Sequence, residues 1–168
     1  MNAARGIEVI ARRDQGSKKV TPPTKAELSK LLTKADEDFK IAVLFAAASG
    51  LWAGALGALR WRHIDFAGQE ITVETRVDQF KEEDTTKPEA GIREVPIGAG
   101  MTLKAWRLRS KFSKADDLVF PNRRGGFMNH DNRMHRTFRP LRLKAEVAGL
   151  KWHALRHFAI STWITSSS

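Results

Sequence analysis

Three basic side chains near the carboxy terminus are spaced to act together. In the run His153, Ala154, Leu155, Arg156, His157, the first histidine is three residues from the arginine and four from the second histidine. On a helix those spacings put all three on nearly one face. A guanidinium can give two parallel charge-assisted hydrogen bonds to phosphate oxygens, and an imidazole can donate one more. Exposed N–H groups at a helix start would add to the same anion site. The chemistry implied is the gripping of a phosphate. Spacing alone also fits an ordinary surface pair, so the rest of the chain must decide.

Other chemistries find less support. The acids Asp78, Glu82, Glu83 and Asp84 are nearly contiguous, which suits a solvated loop better than a convergent metal site. His153 and His157 can share a metal, but neither His130 nor His135 supplies a third ligand at a recognisable spacing. There is no cysteine, which excludes disulfides, thiolate-bound zinc or iron–sulfur centres and a thiol nucleophile. Ser161 and Ser166 to Ser168 have no evident base. The expectation is a site without metal or cofactor.

The charge distribution favours a polyanionic partner. The net charge is +10, yet residues 1 to 100 hold 15 Lys and Arg against 15 Asp and Glu. Residues 101 to 168 hold 14 Lys and Arg against four acids, so the whole excess lies there. A solvated basic face is the plain alternative. A membrane surface would call for one amphipathic basic helix standing apart from a core, and none is visible. The duplex backbone is the better partner, with Arg123, Arg124, Arg133, Arg136, Arg139, Arg142 and His157 as candidate contacts. The longest apolar stretch, Ile41 to Ala48, is far below the roughly 20 residues of a membrane-spanning helix. No secretory signal is evident in residues 1 to 20, and a reducing cytoplasm is the expected location.

These residues need elements to position them. Residues 1 to 23 end in Pro22 and Pro23 and read as a linker; the domain is expected over 24 to 168, with 42% hydrophobic residues enough for one core. Thr24 and Glu27 form a capping-box pattern ahead of a first helix. A second helix is expected from about Asp36 to Ser49 with Gly50 as its C-cap, and a short one over Ala53 to Leu59. Alternation from Ile71 to Val77 predicts a strand. After a polar loop, Lys81 to Gly91, a second strand is expected at Val95 to Ile97. Met101 to Arg109 reads as helix, Leu118 to Phe120 as a buried strand or turn, and Asn122 to Gly126 as a turn. Asp131 to Val147 is helical in its spacing, with a kink expected at Pro140 and an end at Gly149. In the last helix Leu155, Phe158, Ala159, Thr162 and Trp163 mark a core face.

In this order, several stretches resemble the catalytic domain of the tyrosine site-specific recombinases, the phage integrase family. Ala48, Ser49, Gly50, Leu51, followed by Ala58, Leu59, Arg60, Trp61 and Ile64, Asp65, look like its first signature block. Thr85 to Pro88 with Arg93 to Ile97 resembles its lysine-bearing hairpin. Val119, Phe120, Pro121 with Gly125, Gly126, and the His153 to His157 run, complete the series. The resemblance spans roughly Thr24 to Trp163. It implies an α+β fold, mainly helical, with a small antiparallel sheet. It also implies DNA integration or recombination by transesterification without a metal, through a 3′-phosphotyrosyl link. Arg156 would be the second arginine of the site, His153 the histidine that donates to a phosphate oxygen, and Lys87 the proton donor to the leaving hydroxyl.

The sequence departs from the family pattern at three points. Trp52 stands where the first arginine would be, and Ala55 where an acidic residue commonly follows. There is no tyrosine among the 168 residues, and the chain is expected to stop short of the segment that would carry the nucleophile. One missing charged donor typically costs about 100- to 1,000-fold in rate. The expectation is a bacterial or phage-encoded chain that binds double-stranded DNA without cutting it alone. As a free fragment it would be a monomer, with assembly among full-length-like protomers on DNA. A non-catalytic DNA-binding module remains the alternative.

Overall fold

The computed structural model describes residues 21–73, 75–77, 83–85 and 91–166. Helix α1, Lys25–Lys34, begins with a reciprocal cap: the Glu27 N–H donates to Thr24 Oγ1 at 3.1 Å and the Thr24 N–H to Glu27 Oε2 at 2.8 Å. That satisfies two of the donors a helix start leaves open. Helix α2, Glu37–Ser49, is the central element. Phe39, Ile41, Ala42, Val43, Phe45, Ala46 and Ala47 are all buried, so it is enclosed on most sides. Gly50 ends it with a left-handed φ of 67°, as its position in the sequence predicts.

A short helix α3, Ala53–Ala58, and a 3-10 turn, Trp61–His63, follow. Strands β1, Ile64–Asp65, β2, Glu70–Val73, and β5, Gly91–Glu94, form an antiparallel sheet in the order β1-β2-β5, with Ile71 opposite Ile64 and Arg93. Strands β3, Thr75–Val77, and β4, Glu83–Thr85, form a separate antiparallel pair beside α3. The single strand expected over Ile71 to Val77 is thus divided between two sheets. The expected polar loop holds β4 and the start of β5. Val95 to Ile97 is no strand, because β5 ends at Glu94 and Pro96 caps helix α4, Ile97–Arg109. Proline suits that boundary: it has no N–H to lend a ladder, and a helix start needs none.

Leu118 to Phe120 is buried, with Leu118 bridging Arg60 and the Val119 N–H donating to the Leu59 carbonyl at 2.9 Å. Helix α5, His130–Arg133, then passes through a π turn, Met134–Phe138, into helix α6, Arg139–Lys144. The expected break at Pro140 is therefore a widened turn before it. Arg139 donates to Met134, five residues back, and the ring then enters the first turn of α6, where a missing N–H costs little. This segment ends at Ala145, not Gly149, and the reversal uses Glu146 at a φ of 60°.

Helix α7, Trp152–Ser166, packs against α2. Its expected core face holds at Leu155 and Ala159, which are buried, while Thr162 is exposed. The Trp163 side chain lies outside the described part. The chain is mainly helical with a small antiparallel sheet, the α+β class its sequence predicts. No helix among the described residues is long and apolar enough to cross a membrane.

Candidate phosphate-binding site

Two segments from opposite halves of the chain meet here. Where α2 ends, the carbonyl of Gly50 has left the helix ladder and the partial charge of the helix end is negative. Helix α2 has no basic residue in its own last turn. Arg156 of α7 supplies the charge, donating from Nη1 to the Gly50 carbonyl oxygen. The packing of α7 on α2 thereby fixes one edge of the guanidinium.

Trp52 holds the other side. Leu51 is buried and anchors the turn between α2 and α3. The next side chain, Trp52, stands 38% exposed at the N-cap of α3. The guanidinium carbon of Arg156 lies 4.3 Å from its ring centroid. The His153 ring stacks on it with centroids 4.7 Å apart and planes inclined by 24°. His157 meets His153 edge-on at 5.0 Å. Each cation-over-indole contact of this kind is worth about 0.5–2 kcal/mol. The result is a cluster of two imidazoles, one guanidinium and one indole at a helix start.

Burial pushes the His153 imidazole below its usual pKa, and the neighbouring His157 and Arg156 push it the same way. A ring kept neutral has one N–H to donate and one lone pair to offer. A phosphate set against it would reverse the balance by favouring the protonated form. The arrangement can hold an anion from one side with a charged fork and an imidazole donor.

The other expected site residues separate into three groups. Lys87 lies outside the described residues. Arg123, Arg124, Arg136 and Arg139 are exposed, as contacts to a duplex backbone must be. Arg133 and Arg142 are turned inward, contrary to the expectation of surface grips. Arg142 donates to the Leu150 carbonyl at 2.6 Å and covers the Phe138 ring at 5.3 Å, fixing the turn after α6. Arg133 lies over Phe39 at 5.1 Å. With His130, Ala53 and Trp152 it lines a small cavity of about 30 Å3 beside the chain neighbours of Trp52 and His153. Ala55 is buried in α3 and presents no polar group. Trp52 marks a departure in the sequence, but its role as the surface on which His153 and Arg156 pack has no local signal, because those partners are distant in the chain.

Solved structures share this fold. The Tn1549 transposon integrase in complex with transposon right end DNA aligns with a TM-score of 0.73 at 16% identity, covering 91% of this chain and 56% of that one. The same integrase with a circular intermediate DNA gives 0.71 at 17% identity, over 86% and 53%. XerA recombinase gives 0.67 at 17%, over 88% and 52%. The chain spans about half the length of these structures. None of the curated proteins compared with it matches. The profile of the phage integrase family matches residues 23–167, and the chain belongs to that family.

Proposed function

We propose that this chain is the phosphate-holding part of a DNA strand transferase, binding duplex DNA through its backbone at Arg156 and His153. The observation that carries this is the convergence of the Gly50 to Trp52 turn with the His153 to His157 run. Two motif blocks that resemble the family's own come together around one open, electropositive corner. The Tn1549 integrase that shares the fold supports the same partner, having been solved in complex with two different DNAs. In this reading Arg156 gives a charged fork to a phosphate and His153 donates beside it. Lys87 of the β4–β5 connection protonates the leaving hydroxyl. The reaction is a transesterification: a tyrosine hydroxyl attacks the phosphate, a 3′-phosphotyrosyl bond forms and a 5′-hydroxyl leaves with a proton. The 168 residues contain no tyrosine, so by themselves they hold DNA without forming that bond.

The second reading is a DNA-binding module that does no chemistry, and Trp52 favours it. An indole in place of a guanidinium gives no charged fork to the phosphate and occupies the faces of its neighbours.

Titration of a labelled duplex tests the shared part of both readings. Affinity should fall steeply between about 50 and 200 mM salt, as it does when several phosphates are neutralised. A flat response would overturn both. A covalent protein–DNA adduct with the 168-residue chain would show that it cleaves after all.

A further inference from the structure

A second basic recess exists in the molecule, and Trp52, His153 and Arg156 do not line it. It is a cavity of about 520 Å3 between the end of α4, the segment around Phe120 to Arg123, and Arg133 of α5. That volume falls in the range of roughly 300–1,000 Å3 that suits small organic ligands.

Its charge is one-sided. Arg109, Lys111, Arg123 and Arg133 line it, against the single carboxylate of Asp38. Asp38 lies 3.8 Å from Arg109, so that pair largely offsets itself. Among the described residues, Lys111, Arg123 and Arg133 have no carboxylate partner within salt-bridge distance. Arg133 is the innermost of the three: it is half-buried over Phe39, and burial pushes its pKa down to about 10. A cation removed from water without a counter-charge is costly, and an anion placed against it relieves that cost.

The remaining wall is aromatic and held in place. Trp106 is fixed by its Nε1–H, which donates to the Val119 carbonyl at 2.8 Å. Phe112 presses on Gly125, where a Cβ would lie 2.7 Å from its ring and φ is +86°. Phe120 is buried behind them and tilted against Phe45. Rigid flat walls accept a planar ring at little ordering cost.

We propose that this cavity binds a small phosphate-bearing molecule with a planar ring, of the nucleotide class. Arg133, Arg123 and Lys111 take the phosphate, and Trp106 and Phe112 take the ring. The recess favours a compact ligand over the continuous backbone of a duplex, which the exposed arginines of the π turn and α6 suit better. The site is independent of the recombinase reading.

Calorimetric titration of the whole chain with deoxyadenosine monophosphate tests the assignment. Saturable binding at one site is expected, at least about tenfold tighter than deoxyadenosine or inorganic phosphate alone, since each lacks one half of the recognition. Arg133→Met should weaken it by about tenfold or more, and Arg123→Ala, at an exposed position, by several-fold. His153→Gln should leave it within about twofold, because the two sites share no residue. Melting curves will show whether Arg133→Met folds; if it does not, Arg123→Ala decides. No saturable binding, or binding indifferent to Arg123→Ala and to a folded Arg133→Met, overturns the proposal. So does loss of duplex affinity in the same variants without any nucleotide binding, which would assign the cations to the DNA backbone.

Discussion

Trp52 stacks on His153 at 4.7 Å although the two stand in opposite halves of the chain. Arg156 covers the same indole at 4.3 Å. In the reading proposed above, Trp52 takes the place of an arginine of the family, and the protein's own arginine and histidine pack on its indole. On that reading the cluster is one positive charge short.

Trp52→Arg should therefore strengthen duplex binding. One more phosphate contact steepens the slope of log affinity against log salt by about 0.9. Stability should fall by about 1 kcal/mol as the cation–π and stacking contacts go. Fluorescence anisotropy across a salt series with paired melting curves reads both. Unchanged affinity and slope would remove Trp52 from the phosphate site.

Arg156→Ala should cost both binding and stability. The Gly50 carbonyl at the end of α2 loses its charged donor, a loss of roughly 1–3 kcal/mol. For a chain of this size that lowers Tm by roughly 2–4 °C per kcal/mol. Arg156→Lys should restore part of the charge and little of the duplex affinity, since an ammonium lacks the two-pronged geometry.

Acidification should act on folding and on binding with opposite signs. His153 has a folded pKa below its unfolded value, so in the window between the two the unfolded chain binds more protons and stability rises with pH. That contribution is fully present above the unfolded value, near 6.5, and is lost as pH falls through the folded one. His130 shifts the same way. Phosphate favours the protonated ring, so duplex affinity should increase as pH falls from about 8 to 6, near the titration range of histidine. His153→Gln should flatten part of both profiles. A binding profile identical to the wild type would place the ring away from phosphate.

The arginines should divide by their geometry. Arg136→Ala and Arg139→Ala, at exposed positions, should each lower the salt slope by about 0.9 while changing stability by less than about 0.5 kcal/mol. Arg142→Met should cost about 1–3 kcal/mol by leaving the Leu150 carbonyl without its donor, with the salt slope of the folded protein unchanged. An Arg142 variant with a shallower slope would contradict the inward placement.

Gly125→Ala should destabilise the fold by at least about 1–2 kcal/mol through its left-handed backbone alone. The contact with Phe112 adds to this, because a methyl there meets the ring at 2.7 Å. Melting temperature measures the loss.

The sequence made local features legible and left distant ones hidden. The Thr24 cap and the Gly50 ending depend on residues within four positions of each other, so their chemistry can be read directly. The β3–β4 pair joins Thr75, Arg76 and Val77 to Glu83, Asp84 and Thr85, and acids are poor strand formers, so nothing local announced it. Pro96 fell inside the strand expected at Val95 to Ile97, whereas it caps a helix whose Leu103 is fully buried, a packing that the three residues alone do not announce. His153 and Arg156 were visible as a pair from their spacing. Their attachment to Gly50 and Trp52 required the fold. Arg133 and Arg142 looked like the exposed arginines beside them, since burial is a property of the packed helix and not of the residue type.

The π turn at Met134–Phe138 has a geometric outcome of its own. Each residue of an α-helix advances the chain by about 100°, so residues five apart diverge by about 140°. A π turn carries one surplus residue per turn and closes much of that angle. Arg133 and Phe138 are five apart, and both reach Phe39, at 5.1 Å and 6.4 Å. The helix is held out of phase with itself, and that offset aims Arg133 inward. Deleting a single residue between 134 and 138 would restore the phase and swing the arginine toward solvent with its own sequence unaltered.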